Sequence, residues 1–94
     1  GDMANVHSLR RGAAEALEII AHGDSRSSKV VGRTVEQLDL PDGVRIGAIV
    51  RGDDVVIPHK DFSIESDDHV VVFLVDKTQI AAVERLFQVG FGFF

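Results

Sequence analysis

Cysteine is absent from the 94-residue sequence, so no disulfide staples the chain and no thiolate holds a metal. A long apolar run is absent too. The longest, residues 70–75, falls far short of the ~20 residues a membrane-spanning helix needs, and no secretory leader pattern opens the chain. A cytoplasmic, soluble chain is therefore expected. Positive charge is in deficit, with 10 Lys and Arg against 15 Asp and Glu and a net charge of −5. Arg10, Arg11, Arg26, Lys29 and Arg33 gather in the first third, but no aromatic residue lies among them to stack a base. Nucleic acid is not an expected partner.

Recognisable catalytic motifs are missing as well. Ser63, His59 and Asp61 are the residue types of a hydrolytic triad, yet no nucleophile elbow or oxyanion loop surrounds them. The run from His59 to His69 is rich in oxygen and imidazole ligands, but its spacing matches no defined metal motif, and Asp67-Asp68 reads as ordinary turn chemistry. His69 reads as the residue that leads into a strand. The expectation is no enzyme, no catalytic residue and no metal ligand. No G-x-G-x-x-G stands at a strand-to-helix junction, so no NAD cofactor site is expected within this chain.

A hydrophobic share of 45% suits one small folded domain. Gly1 reads as a tag remnant, and residues 1–12 as a connector from a missing upstream domain. Residues 13–88 read as the domain, and residues 89–94 as an apolar tail. Residues 13–21 are ambiguous. Their Ala, Glu and Leu favour helix, whereas Leu17, Ile19 and Ala21 at every second position permit a strand. Val31, Val35 and Leu38 share one face of a short helix, ended by Pro41-Asp-Gly43. Residues 46–50 and 55–57 form a hairpin, in which Gly52 suits a type II′ turn.

Phe62 and Ile64 alternate with Ser63 and Glu65 as a half-buried strand fragment. Residues 69–75 are the most strand-like segment, and their continuous apolarity implies cover on both faces. Asp76 caps a last helix, with Gln79 completing a capping-box-like pair and Ile80, Val83, Leu86 and Phe87 on its apolar stripe. The fold class expected is α+β, a small two-layer sandwich of mainly antiparallel sheet, in the order strand or helix, then α-β-β-β-α.

Arg51 at the hairpin tip has two readings. It is suited to bidentate grip of phosphate or carboxylate, or it is a solvated residue balancing Asp53 and Asp54. The tail Phe91-Gly-Phe93-Phe94 either folds onto its own core or a dimer mate, or docks a neighbouring domain.

Three runs carry a family resemblance. Ser-Lys-Val-Val-Gly-Arg-Thr-Val-Glu-Gln-Leu-Asp-Leu-Pro at 28–41 resembles the helix-bearing opening of the TrkA-C domain, also called the RCK C-lobe. Val-Arg-Ile-Gly-Ala-Ile-Val-Arg-Gly-Asp-Asp-Val-Val-Ile-Pro at 44–58 resembles its hairpin. Phe-Ser-Ile-Glu-Ser-Asp-Asp-His-Val-Val-Val-Phe-Leu at 62–74 resembles its acidic turn and central strand. Residues 5–16 and the tail also look like the bounds of the last such domain in bacterial potassium-uptake regulators.

The resemblance implies a first strand over residues 13–21, hence the order β-α-β-β-β-α with two helices. It also implies a homodimer that couples ligand state to a membrane-embedded potassium transporter subunit, at the cytoplasmic side of the inner membrane. NAD or NADH would bind the full-length protein upstream. A small regulatory ligand at the dimer interface would meet Ile49, Arg51, Val56, Ile57 and Pro58. Val55-Val56-Ile57 departs from some nucleotide-binding relatives in having no polar residue. The other reading is a ligand- or metal-sensing domain of the same family attached to another transporter or antiporter.

Overall fold

The computed structural model describes residues 15–89. The connector and the aromatic tail lie outside the described residues. Four strands form one antiparallel sheet: β1 (Glu15–Ile20), β2 (Val44–Arg51), β3 (Asp54–Val56) and β4 (His69–Leu74), in spatial order β1-β4-β2-β3. One α-helix, α1 (Ile80–Phe87), follows β4.

The ambiguous first segment is a strand. Local helix propensity yields because β1 pairs along its whole length with β4, from Glu15 opposite Leu74 to Ile20 opposite His69. Its alternation then places Leu17 and Ile19 in the core. β4 is central, bonded to β1 on one side and β2 on the other. Its inward Val70, Val72 and Leu74 meet Val83, Leu86 and Phe87 of α1 in one apolar cluster with Val30, Val31, Leu38 and Ile64.

One expected helix does not form. Residues 31–38 hold only a 3-10 turn, Val35–Gln37. The backbone groups a helix would use are bonded across the chain. Gly32 N donates to Ile64 O at 2.8 Å, Ile64 N to Arg33 O at 2.9 Å, Val35 N to Phe62 O at 2.9 Å and Glu36 N to Lys60 O at 2.9 Å. The apolar spacing still served burial, since Val31 and Leu38 lie in the core and Val35 is half-buried. The same ladder confirms the strand-like fragment at 62–65, where Ile64 is buried and Ser63 and Glu65 are exposed.

Asp76 caps as expected, with Oδ1 accepting the Thr78 N–H at 2.9 Å. The first turn after it, Lys77–Gln79, is 3-10. Gln79 does not complete a capping box. Its side-chain amide donates to the Asp42 carbonyl, tying the helix start to the loop before β2.

In β2 the ladder to β4 shifts register between Ile46 and Ala48. Gly47 sits at this bulge because the Phe73 ring lies where a Cβ would stand.

Candidate functional site

The hairpin turn is Gly52-Asp53. Gly52 has φ 60°, and Asp53 stays out of the left-handed region, the sign pattern of a type II′ turn. β3 is the sheet's edge. The two side chains that β3 and its continuation turn outward, Val55 and Ile57, are 68% and 77% exposed.

The five hairpin residues expected at a ligand surface do not all reach one. Ile57 is exposed, and Val56 and Pro58 are half-buried. Ile49 is fully buried and belongs to the domain's own core. Its position in β2 fixes this, because after the bulge it pairs with the inward Val70.

Arg51, the last residue of β2, makes the bidentate grip on a carboxylate that its chemistry suits, and that carboxylate is the domain's own Asp68 instead of Asp53 or Asp54. Its guanidinium reaches the segment from Phe62 to Asp68. Nε donates to Asp68 Oδ1 at 2.8 Å and Nη2 to Oδ2 at 2.7 Å, a two-pronged grip. Nη2 also donates to the Ser63 carbonyl at 3.0 Å, Nη1 lies 3.2 Å from Glu65 Oε2, and the guanidinium sits 4.8 Å from the centroid of the Phe62 ring. The hydrogen bonds to Asp68 raise the Arg51 pKa above its ordinary value against the opposing effect of burial, and the charges of Asp68 and Glu65 add to the rise. The residue stays a cation.

Asp68 is the residue sequence reasoning missed. It is 1% exposed and also accepts the Glu65 N–H at 2.8 Å through Oδ2. Its neighbour Asp67 is the exposed turn residue, at φ 71°, with its N–H bonded to the Ala21 carbonyl at 2.6 Å. In sequence the two aspartates look alike. Only the β2–β4 register, which sets Val50 beside His69, brings Arg51 within reach of one of them.

The triad residue types do not assemble. His59 Nδ1 accepts the Asp61 N–H at 3.2 Å, and among the described residues no hydrogen bond joins His59 to the Ser63 hydroxyl or the Asp61 carboxylate. No three His, Cys, Asp or Glu side chains gather as a ligand set among the described residues. His69 does lead into β4, with Nδ1 3.4 Å from Glu18 Oε2 across the strand pair, and His22 Nδ1 lies 3.6 Å from Asp67 Oδ1. The junction from β4 to the helix runs through Val75-Asp76 with no glycine-rich turn, which does not fit a nicotinamide dinucleotide.

The outer face of the sheet is the other surface of interest. Phe73 is 49% exposed there, and Val71, Val50 and Ile20, farther along the same face, are half-buried. β4 is thus apolar on both faces, and α1 lies on one.

The TrkA-C domain profile matches residues 25–88. The chain belongs to the TrkA-C domain family. Over its whole length it is 64% identical to the Trk system potassium uptake protein TrkA of Halomonas elongata. It is 60% identical over 87 residues to that of Vibrio alginolyticus. The chain spans about a fifth of these relatives, 21% and 19% of their lengths.

Among solved structures, it is similar to the RCK_C domain dimer of S. agalactiae BusR in complex with c-di-AMP. The TM-score is 0.62 and the identity 27%, over 77% of this chain and 93% of that one. A second RCK domain structure shares the fold at TM-score 0.58 and 16% identity, over 78% of this chain and 97% of that one. Among the described residues, four antiparallel strands with one α-helix and 3-10 turns are this TrkA-C domain's version of the expected sandwich. No helix among the described residues is long and apolar enough to cross a membrane.

Proposed function

We propose that this TrkA-C domain is the regulatory C-terminal part of the cytoplasmic subunit of a bacterial potassium uptake system, peripheral to the inner membrane. It pairs with a second copy and couples ligand state to the membrane-embedded potassium transporter subunit. The observation that carries this reading is the 64% identity, along the whole chain, to a Trk system potassium uptake protein. It also favours this reading over attachment to another transporter or antiporter. The role is binding and coupling, with no turnover. Nicotinamide nucleotide binding is assigned to other parts of the full-length protein.

Pairing is supported by the outer face of the sheet. A strand apolar on both sides asks for cover on both, and Phe73, Val71 and Val50 continue towards the exposed Val55 and Ile57 of the hairpin edge. A two-fold partner laid on this face buries all of them at once. A regulatory ligand is proposed at the seam, against Val56, Ile57 and Pro58. There Ile49 supports the surface from the core and Arg51 holds the hairpin in place. The similarity to an RCK_C dimer bound to c-di-AMP supports that location.

The functional test is growth at limiting potassium of cells whose own uptake subunit is deleted, supplied with the full-length protein carrying Ile57→Glu and Phe73→Glu. Lost growth at normal protein level is the expected result, and undiminished growth overturns the coupling role. Calorimetry of the chain with c-di-AMP, ATP and calcium, against Ile57→Ala, tests the ligand. Heat from one of them that the variant loses is expected, and silence in all three overturns the ligand site while leaving the pairing to its own test.

A further inference from the structure

The helix side of the domain, away from the open sheet face, carries a groove that the hairpin site does not use. Its walls are Ala82, Arg85 and Leu86 of α1, Gln37 at the end of the 3-10 turn, and Asp39 and Pro41 of the run after it, with Lys29 beside them, around a volume of about 320 Å³. Leu86 is buried and Ala82 and Pro41 are half-buried, which makes an apolar floor. Lys29 and Arg85 are exposed, come from separate elements, and have no ion-pair partner among the described residues.

The walls are held in place. Gln37 Oε1 accepts the Thr34 N–H at 2.9 Å, the backbone ladder ties residues 32–36 to 60–64, and the Gln79 amide fastens the start of the helix to Asp42, next to Pro41. A groove fixed before binding loses little freedom when a ligand enters. Arg85 also lies in the last turn of α1, where a cation offsets the helix C-terminus, and that role leaves its outer N–H donors available.

We propose that this groove binds a small organic anion, its carboxylate or phosphate held by Lys29 and Arg85 and its apolar body laid on Leu86, Ala82 and Pro41. The size lies at the lower end of the ~300–1,000 Å³ of ligand pockets, room for one compact molecule and not for a dinucleotide. Asp39 sets the charge it accepts. With one carboxylate facing two cations, the groove favours a singly charged anion over a polyphosphate. In a chain of net charge −5 it is a local positive site, and it is independent of the hairpin and of pairing.

The test is a titration of the ¹⁵N-labelled chain followed by amide shifts, with benzoate, benzamide and inorganic phosphate as probes. Benzoate is expected to give saturable shifts at Lys29, Ala82, Arg85 and Leu86. Benzamide, which keeps the ring without the charge, binds about tenfold more weakly or less, as expected when charge-assisted hydrogen bonds are lost. Lys29→Gln with Arg85→Gln has the same effect on benzoate while the rest of the spectrum stays in place. Benzoate shifts that are absent, that benzamide reproduces, or that the double variant leaves intact overturn the proposal. Phosphate binding as tightly as benzoate overturns the part assigned to the apolar floor.

Discussion

Arg51 at the end of β2 holds Asp68 in two parallel hydrogen bonds of 2.8 and 2.7 Å, and Asp68 is 1% exposed. The pair joins the hairpin to the turn before β4, and through Ser63 and Phe62 to the segment that carries residues 32–36. A carboxylate this sheltered is tolerable only with its cation in place. An anionic ligand drawing Arg51 away would strand Asp68, so we read Arg51 as a strut of the hairpin and not its ligand hook.

Removing either partner should therefore destabilise the domain. Arg51→Ala is expected to cost about 2–4 kcal/mol in chemical denaturation, below the full range for a buried pair because the arginine side chain keeps 33% of its surface in water. Arg51→Lys falls in between, since an ammonium cannot make both bonds in one plane. Arg51→Ala with Asp68→Ala should cost less than the sum of the single changes, because the second change removes the stranded charge. A strictly additive double variant contradicts the strut.

The bulge gives a second test. Gly47→Ala drives a methyl into the Phe73 ring and should cost about 1–3 kcal/mol, the usual range for overpacking. Phe73→Ala in the same chain makes room, so the penalty of the added methyl should shrink in a double-mutant cycle measured by denaturation. An equal penalty in both backgrounds would place the strain elsewhere.

At Asp67 the backbone itself is the constraint. With φ 71°, Asp67→Val should destabilise more than Asp67→Asn, by about 1 kcal/mol or more, since a β-branched side chain is poorly suited to the left-handed region. Thermal melts of the two variants at neutral pH check this, and equal midpoints would contradict it.

Two exposed carboxylates shape the acid limb. The Asp24 pKa is lowered chiefly by the Ser27 and Arg26 N–H groups, and that of Asp76 by the Thr78 N–H. A folded pKa below the unfolded one gives stability that is present above the unfolded value. It is lost as the pH falls through the folded value, so the effect belongs below about pH 4. Asp24→Asn and Asp76→Asn keep an acceptor but do not titrate. Each should flatten the loss of stability with acid there and change nothing in its pH slope above about pH 5.

Much of this fold was legible from local chemistry. The hairpin with its Gly52 turn, the Asp76 cap, the apolar stripe of the last helix and the two-sided β4 are all fixed by neighbours within a few residues. What was not legible depends on long-range pairing. Residues 13–21 lean to helix by propensity and become a strand only because β4 is there to receive them. Residues 31–38 carry helical spacing and form one 3-10 turn because residues 60–64 take their backbone bonds. The candidate site was harder still. The resemblance put Ile49 at a ligand surface, whereas the bulge at Gly47 turns it into the domain's own core, and Asp68 cannot be told from Asp67 before the register is known.

The open sheet face is the surface proposed to pair two copies. Sedimentation equilibrium of the chain, alone and as the Ile57→Glu, Phe73→Glu variant, decides this. A dimer is expected for the unaltered chain, and a monomer with an unchanged far-ultraviolet dichroism spectrum for the variant. An unaltered chain that stays monomeric at every concentration, or a variant that dimerises as well, would contradict it.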